Sequence, residues 1–210
     1  FEIVFNAARR LAKKLDVAYQ DQVRRITIGD DKTPGYLSTH GDTAVSGYQS
    51  TQDSIRAAAQ DLRKSIQNDR VARMFDGVVA SREPGYLDHI AGHMQSQRLV
   101  ANATASKARQ EAAYADVATN FRSEDTIDKS MRVAQHEAIS QLDAAGIQDH
   151  EARQRVIDEA ASKVHESVIS AAVLSQPGYA RDYYLTHGDQ IDGLRRHAIE
   201  KMLREGTHGE

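Results

Sequence analysis

Apolar residues recur along this chain at steps of three and four, the period of a helix that buries one face. Tyr48, Ile55, Ala59, Leu62 and Ile66 form one stripe. Ile127, Met131, Ala134, Ala138 and Leu142 form a second, and Ile157, Ala161, Val164, Val168 and Ala171 a third. Shorter stripes run through Val71, Met74, Phe75 and Val78, and through Leu194, Ala198 and Met202. Strict alternation is nearly absent, and only Val23 to Ile28 could form a short extended segment. The pattern predicts an all-α chain.

The interruptions predict where helices stop. Ala145-Gly146-Ile147 has the layout of a helix C-terminus, with glycine just past the last turn and an apolar residue after it. Asp149 then stands where it caps the next helix. Asn68 and Asp69 fall between two stripes. Leu87 to Phe121 holds no proline and one early glycine, which predicts a single helix of about 35 residues, about 50 Å long. That exceeds a small domain and predicts an elongated shape. The later part of that helix, Ala101 to Ala118, carries small or polar residues on every face and needs a partner to be stable.

The three prolines share one context: Pro34-Gly35-Tyr36, Pro84-Gly85-Tyr86 and Pro177-Gly178-Tyr179. Pro-Gly ends a helix and sets a turn. A tyrosine after it has an apolar ring to pin the turn and a polar tip to keep wet or bonded. Tyr36, Tyr86, Tyr179 and Tyr184 are therefore the expected turn and packing anchors. Tyr36 to Asp42 also echoes Tyr184 to Asp189 through a shared Thr-His-Gly-Asp, which fits either converging helix joints or a degenerate internal repeat. The expected architecture is an elongated multi-helix bundle of long helices joined by Pro-Gly-Tyr turns. Its parts are a basic N-terminal helix with a short connector (1–30), a helical region with one long helix (31–122), and a C-terminal helical region (123–210).

Composition agrees with this pattern. Alanine occurs 30 times in 210 residues and proline three times, and these are the best and worst helix formers. Aromatic residues make up 6% of the chain and tryptophan is absent, so the core must be built from small and aliphatic side chains. The net charge of −3 argues against a surface built throughout to neutralise nucleic acid. The first 25 residues differ: Arg9, Arg10, Lys13, Lys14, Arg24 and Arg25 face only Glu2, Asp16 and Asp21. These six are either a solvated helix face or contacts for an anionic partner such as DNA or lipid headgroups. With no cysteine there are no disulfides, thiolate metal sites or cysteine nucleophiles. No apolar run approaches the roughly 20 residues that span a bilayer. The chain opens at Phe1 without methionine and reads as an excerpt of a longer polypeptide or as a processed product.

Candidate chemistry is sparse. His89 and His93 have the four-residue spacing that lets two imidazoles share a metal, but Ile90 stands where a metalloprotease motif needs glutamate. Interhelical or surface hydrogen bonding is the expected role of that pair. His40 with Asp42 and His187 with Asp189 could suggest acid–base pairs, yet glycine and aspartate after histidine are also ordinary turn and cap chemistry. No nucleophile elbow, phosphate-binding loop or dinucleotide fingerprint occurs. A muramidase-like pair of carboxylates would need an acid held in an aromatic-lined cleft, which is hard to build with four phenylalanines and no tryptophan. The expectation is no enzyme activity, no metal and no cofactor.

Two blocks carry a family resemblance. The first comprises Gly35-Tyr36-Leu37-Ser38-Thr39, the helix through Ile55 to Ile66, Ala72-Arg73-Met74-Phe75-Asp76, Tyr86-Leu87 and His93 to Gln97. The second comprises Ser162-Lys163-Val164-His165, Val168-Ile169, Tyr179-Ala180, Tyr183-Tyr184 and Asp189-Gln190-Ile191-Asp192. Together they resemble a helical region of internal virion, DNA-ejection or tail-associated structural proteins of tailed bacteriophages, over roughly residues 34–200. The resemblance implies a protein that oligomerises in the virion, contacts portal, tail or other ejection proteins, and helps form a conduit for the genome through the host envelope. It implies a place in the capsid interior or tail, then in the host envelope, with no small-molecule substrate and no shared catalytic residues. The alternatives are an adaptor that stays in the particle, or a murein-degrading enzyme.

Overall fold

The computed structural model describes residues 2–206. Among these are seven α-helices and no β-strand: α1 (Glu2–Thr27), α2 (Gly41–Lys64), α3 (Asp69–Thr119), α4 (Glu124–Ala144), α5 (His150–Val173), α6 (Pro177–His187) and α7 (Gly193–Glu205). Short 3₁₀ turns at Tyr36–Ser38 and Gly188–Gln190 precede α2 and α7. The all-α multi-helix fold is as the periodicity predicts. Two compact units share the chain, one ending at Ala101 and the other beginning at Asn102, so the division falls inside α3.

The helix ends have local causes. The Asn68 side chain accepts from the backbone N–H of Arg70 and Val71 and starts α3. Ser123, Asp149 and Asp192 do the same for α4, α5 and α7, each accepting from the N–H three residues on. At the end of α4, Gly146 takes φ +69°. Gly146 N–H then bonds Asp143 O and Ile147 N–H bonds Leu142 O, closing a Schellman turn.

In the first unit, α1 and α2 pack together with the first part of α3 around Tyr19, Val23, Ile55, Ala59, Phe75 and Ile90. The Tyr19 ring meets Phe75 and Tyr86 edge-on, with centroids 6.2 and 5.7 Å apart. Asp16 accepts both guanidinium arms of Arg82, at 2.6 and 2.9 Å, which ties α1 to α3 and holds the Asp16 carboxyl below its usual range. The connector from α1 to α2 crosses itself at a single bridge, Gly29 to Pro34. A Cβ on Gly35 would lie 2.3 Å from the Ile28 carbonyl carbon, so only glycine fits that crossing.

In the second unit, α4, α5, α6 and α7 enclose Val117, Ala134, Ala138, Val164, Val168, Ile169, Ala172, Ile191 and Ile199. The last part of α3, all small or polar in sequence, finds its partner in α4. Arg109 bonds Glu137 through both arms, Gln110 donates to Ala134 O, and Gln141 donates to Ser106.

Several expectations are corrected. Val23 to Thr27 continue α1 as helix, because Val23 and Ile26 fall on the face that packs with Tyr19; Ile28 follows directly. Pro84-Gly85-Tyr86 is no joint: it lies inside α3, which begins at Asp69 rather than near Leu87 and runs for 51 residues. An interior proline costs about 3 kcal/mol, and burial of Phe75, Tyr86, Leu87 and Ile90 on either side offsets it. In α7 the buried residues are Ile199 and Leu203, while Leu194 is 90% exposed, so the buried stripe is rotated from the one expected. Asp42 lies in the first turn of α2 and Asp189 in a 3₁₀ turn, and neither side chain caps a helix. The two Thr-His-Gly-Asp segments also differ, one entering α2 and the other ending α6.

Candidate functional site

The four tyrosine anchors are held in different ways. Tyr36 donates to Ala44 O at 2.7 Å and sets its ring edge-on to His93, 5.2 Å away. The His93 Nε2 in turn bonds Thr39 O at 3.0 Å, so this histidine fastens the connector to α3. His89, four residues earlier, is exposed. Tyr86 packs on Tyr19 within a helix rather than at a turn. Tyr179 donates to Phe121 O and Tyr184 to Glu200 Oε1, linking α6 to the α3–α4 connection and to α7.

The six cations of α1 are all exposed, and none makes an ion pair among the described residues. At about 100° per residue they fall within an arc of about 160°, on the side away from buried Ala8, Ala12, Tyr19 and Val23. Ile3 and Val17 lie exposed within the same arc, and Leu11 and Val4 are exposed outside it, about 40° and 60° beyond its edge. The result is a basic surface interleaved with large aliphatic side chains.

The second candidate was not visible in the sequence. His165 on α5 is buried and shares a 2.8 Å hydrogen bond between its Nδ1 and the Tyr183 hydroxyl of α6. His187, at the end of α6, stacks on His165 with ring centroids 5.1 Å apart and lies 4.4 Å from the Tyr183 ring. Burial, then the adjacent His187, pushes His165 down to about 4, so its ring is neutral at pH 7. Burial raises the Tyr183 hydroxyl well above its ordinary value. The cluster borders a cavity of about 520 Å³ between α4 and α6, with Glu124, Asp128 and Asp182 around it and Ile127, Met131 and Tyr179 in its walls. Members 18 and 22 residues apart on two helices carry no motif. The signal that could have found them is a histidine set directly against the Val164–Val168 stripe.

Among the described residues, no three of His, Asp and Glu converge where a metal could be held. No helix is long and apolar enough to cross a membrane. Comparison with known proteins finds no matching family model, no similar curated protein and no similar solved structure.

Proposed function

We propose that this chain is a structural component of a tailed-bacteriophage particle, of the internal virion or DNA-ejection kind. It works by packing against copies of itself and neighbouring virion proteins rather than by catalysis. The observation that carries the reading is α1, where Ile3 and Val17 stay exposed among six cations that make no ion pair among the described residues, with Val4 and Leu11 exposed beside that arc. Four large aliphatic side chains within one helix are surface that an isolated chain gains nothing by leaving in water. Such a face suits a partner with both apolar and anionic groups. The sequence resemblance supports the same reading, since its two blocks fall on the packed joints of the two units: Tyr36 and His93 in one, Tyr183 and Tyr184 in the other.

Mass spectrometry of purified particles before and after genome release tests the proposal. An ejected protein is present in full particles and lost from emptied ones. An adaptor persists in both. Absence from full particles overturns the proposal.

A further inference from the structure

We infer that the outer face of α1 docks on the anionic headgroup layer of a phospholipid bilayer, with the helix lying on that surface rather than crossing it. The inference rests on the reading of α1 as a partner face and names the partner.

The apolar part of the face is continuous. Ile3, Val4 and Leu11 are 85%, 65% and 47% exposed. Together with exposed Ala7 they fall within about 100° of the helix circumference, at steps of three and four along it. Lys14 and Arg25 project from the same span. Arg10, Arg24, Lys13 and Arg9 follow round one side of it, with exposed Val17 among them. The core side of the helix, through Ala8, Ala12, Tyr19 and Val23, is turned away.

Charge selects among apolar partners. None of the six cations makes an ion pair among the described residues, and Asp16, on the same helix, bonds Arg82 instead. Glu2 and Asp21 are the exposed carboxylates within the basic arc, and the cations outnumber them. A headgroup layer sets phosphates level with such cations and acyl chains just beneath. Lysine and arginine can then lay their stems along the apolar layer and keep their charged heads at the phosphates. A DNA duplex would engage the cations but leave Ile3, Val4 and Leu11 in water. A second copy presenting this same face would set cation against cation. No helix among the described residues is long and apolar enough to cross a membrane, so the contact is with the surface.

The test is co-sedimentation of the full chain with vesicles at about physiological salt. The vesicles are phosphatidylcholine alone, or the same lipid with about a third phosphatidylglycerol. Duplex DNA and polyglutamate are the controls for plain charge attraction. The expected result is binding to the anionic vesicles, little to phosphatidylcholine, and weaker binding to both polyanions. The triple substitution Ile3→Gln, Val4→Gln and Leu11→Gln should weaken vesicle binding by about tenfold or more. Replacing Arg9, Arg10, Lys13 and Lys14 by Gln should weaken it by about thirtyfold or more. All seven positions are exposed, and helical circular dichroism checks that the variants fold. The chain has no tryptophan, so Leu11→Trp is a single reporter. Its emission should move to the blue on anionic vesicles and be quenched by brominated acyl chains.

No binding to anionic vesicles overturns the inference, and so does equal binding by a folded triple variant. An unmoved tryptophan emission, or a polyanion bound as tightly as the vesicles, overturns it as well. A chain present in particles but blind to vesicles removes this inference alone. A chain that binds vesicles but is absent from particles removes only the particle reading.

Discussion

Acid should unfold the second unit before carboxylate protonation does, and His165 sets the size of the effect. The perturbation is a fall in pH from 7 to 4. In the unfolded chain His165 titrates at its ordinary value of 6.5, and in the folded chain at about 4. The folded form therefore binds fewer protons throughout that window, so stability falls as pH drops through it. The contribution is fully present above pH 6.5 and fully lost below pH 4. At roughly 1.4 kcal/mol per pKa unit, the loss is about 3 kcal/mol. Asp16 and Glu137, held below their ordinary carboxyl values of 3.8 and 4.5 by Arg82 and Arg109, keep their contributions above those values, so the loss between pH 7 and about 5 belongs to His165 rather than to these two.

The assay is amide hydrogen exchange along α5, corrected for the intrinsic rate at each pH, in the native chain and in His165→Gln. Glutamine fills a similar volume, can bond Tyr183 and does not titrate. The native chain should lose about 3 kcal/mol of α5 protection between pH 7 and 4, and the variant should lose markedly less. Equal pH slopes in the two proteins would refute the reasoning, because they would mean that the buried imidazole accepts a proton without cost.

Three further outcomes follow from particular contacts. Gly35→Ala forces a Cβ onto the Ile28 backbone and should cost at least about 2 kcal/mol by urea unfolding. Gly85→Ala, in open space within α3, should stabilise the chain by about 0.5–1 kcal/mol. Tyr183→Phe strips the His165 Nδ1 of its partner and should cost about 1–3 kcal/mol, read by the same unfolding experiment. If α1 meets an anionic partner, binding to duplex DNA or to anionic vesicles should fall steeply between low and physiological salt. It should weaken further when Arg9, Arg10, Lys13 and Lys14 are replaced by Gln, and a flat salt response removes that role.

The helices were legible because their signals are local. Asn68, Asp149 and Gly146 each satisfy or end a helix through atoms within a few residues, so their identity and position were enough. Pro84 misled because its local cost is overridden from a distance by Tyr19 and Ile55, which hold the α3 residues around it in place. The Val23–Ile28 run misled in the same way, its branched side chains being used as one helical face. In α7 the stripe was short, and Leu194 at the first turn could be exposed without breaking the period. The six cations of α1 were legible as a group, because one helix carries them all. The His165–Tyr183–His187 cluster was not, since only the packing of α6 on α5 assembles it.

The central claim is that this chain is a building part of a phage particle. A symmetry-resolved reconstruction of the intact virion, searched for the seven helices of this chain, tests it most directly. The account predicts repeated copies in the capsid interior or along the tail axis, with the exposed face of α1 covered by a neighbour. A particle whose resolved density is fully assigned to other chains, with this one absent, would contradict it.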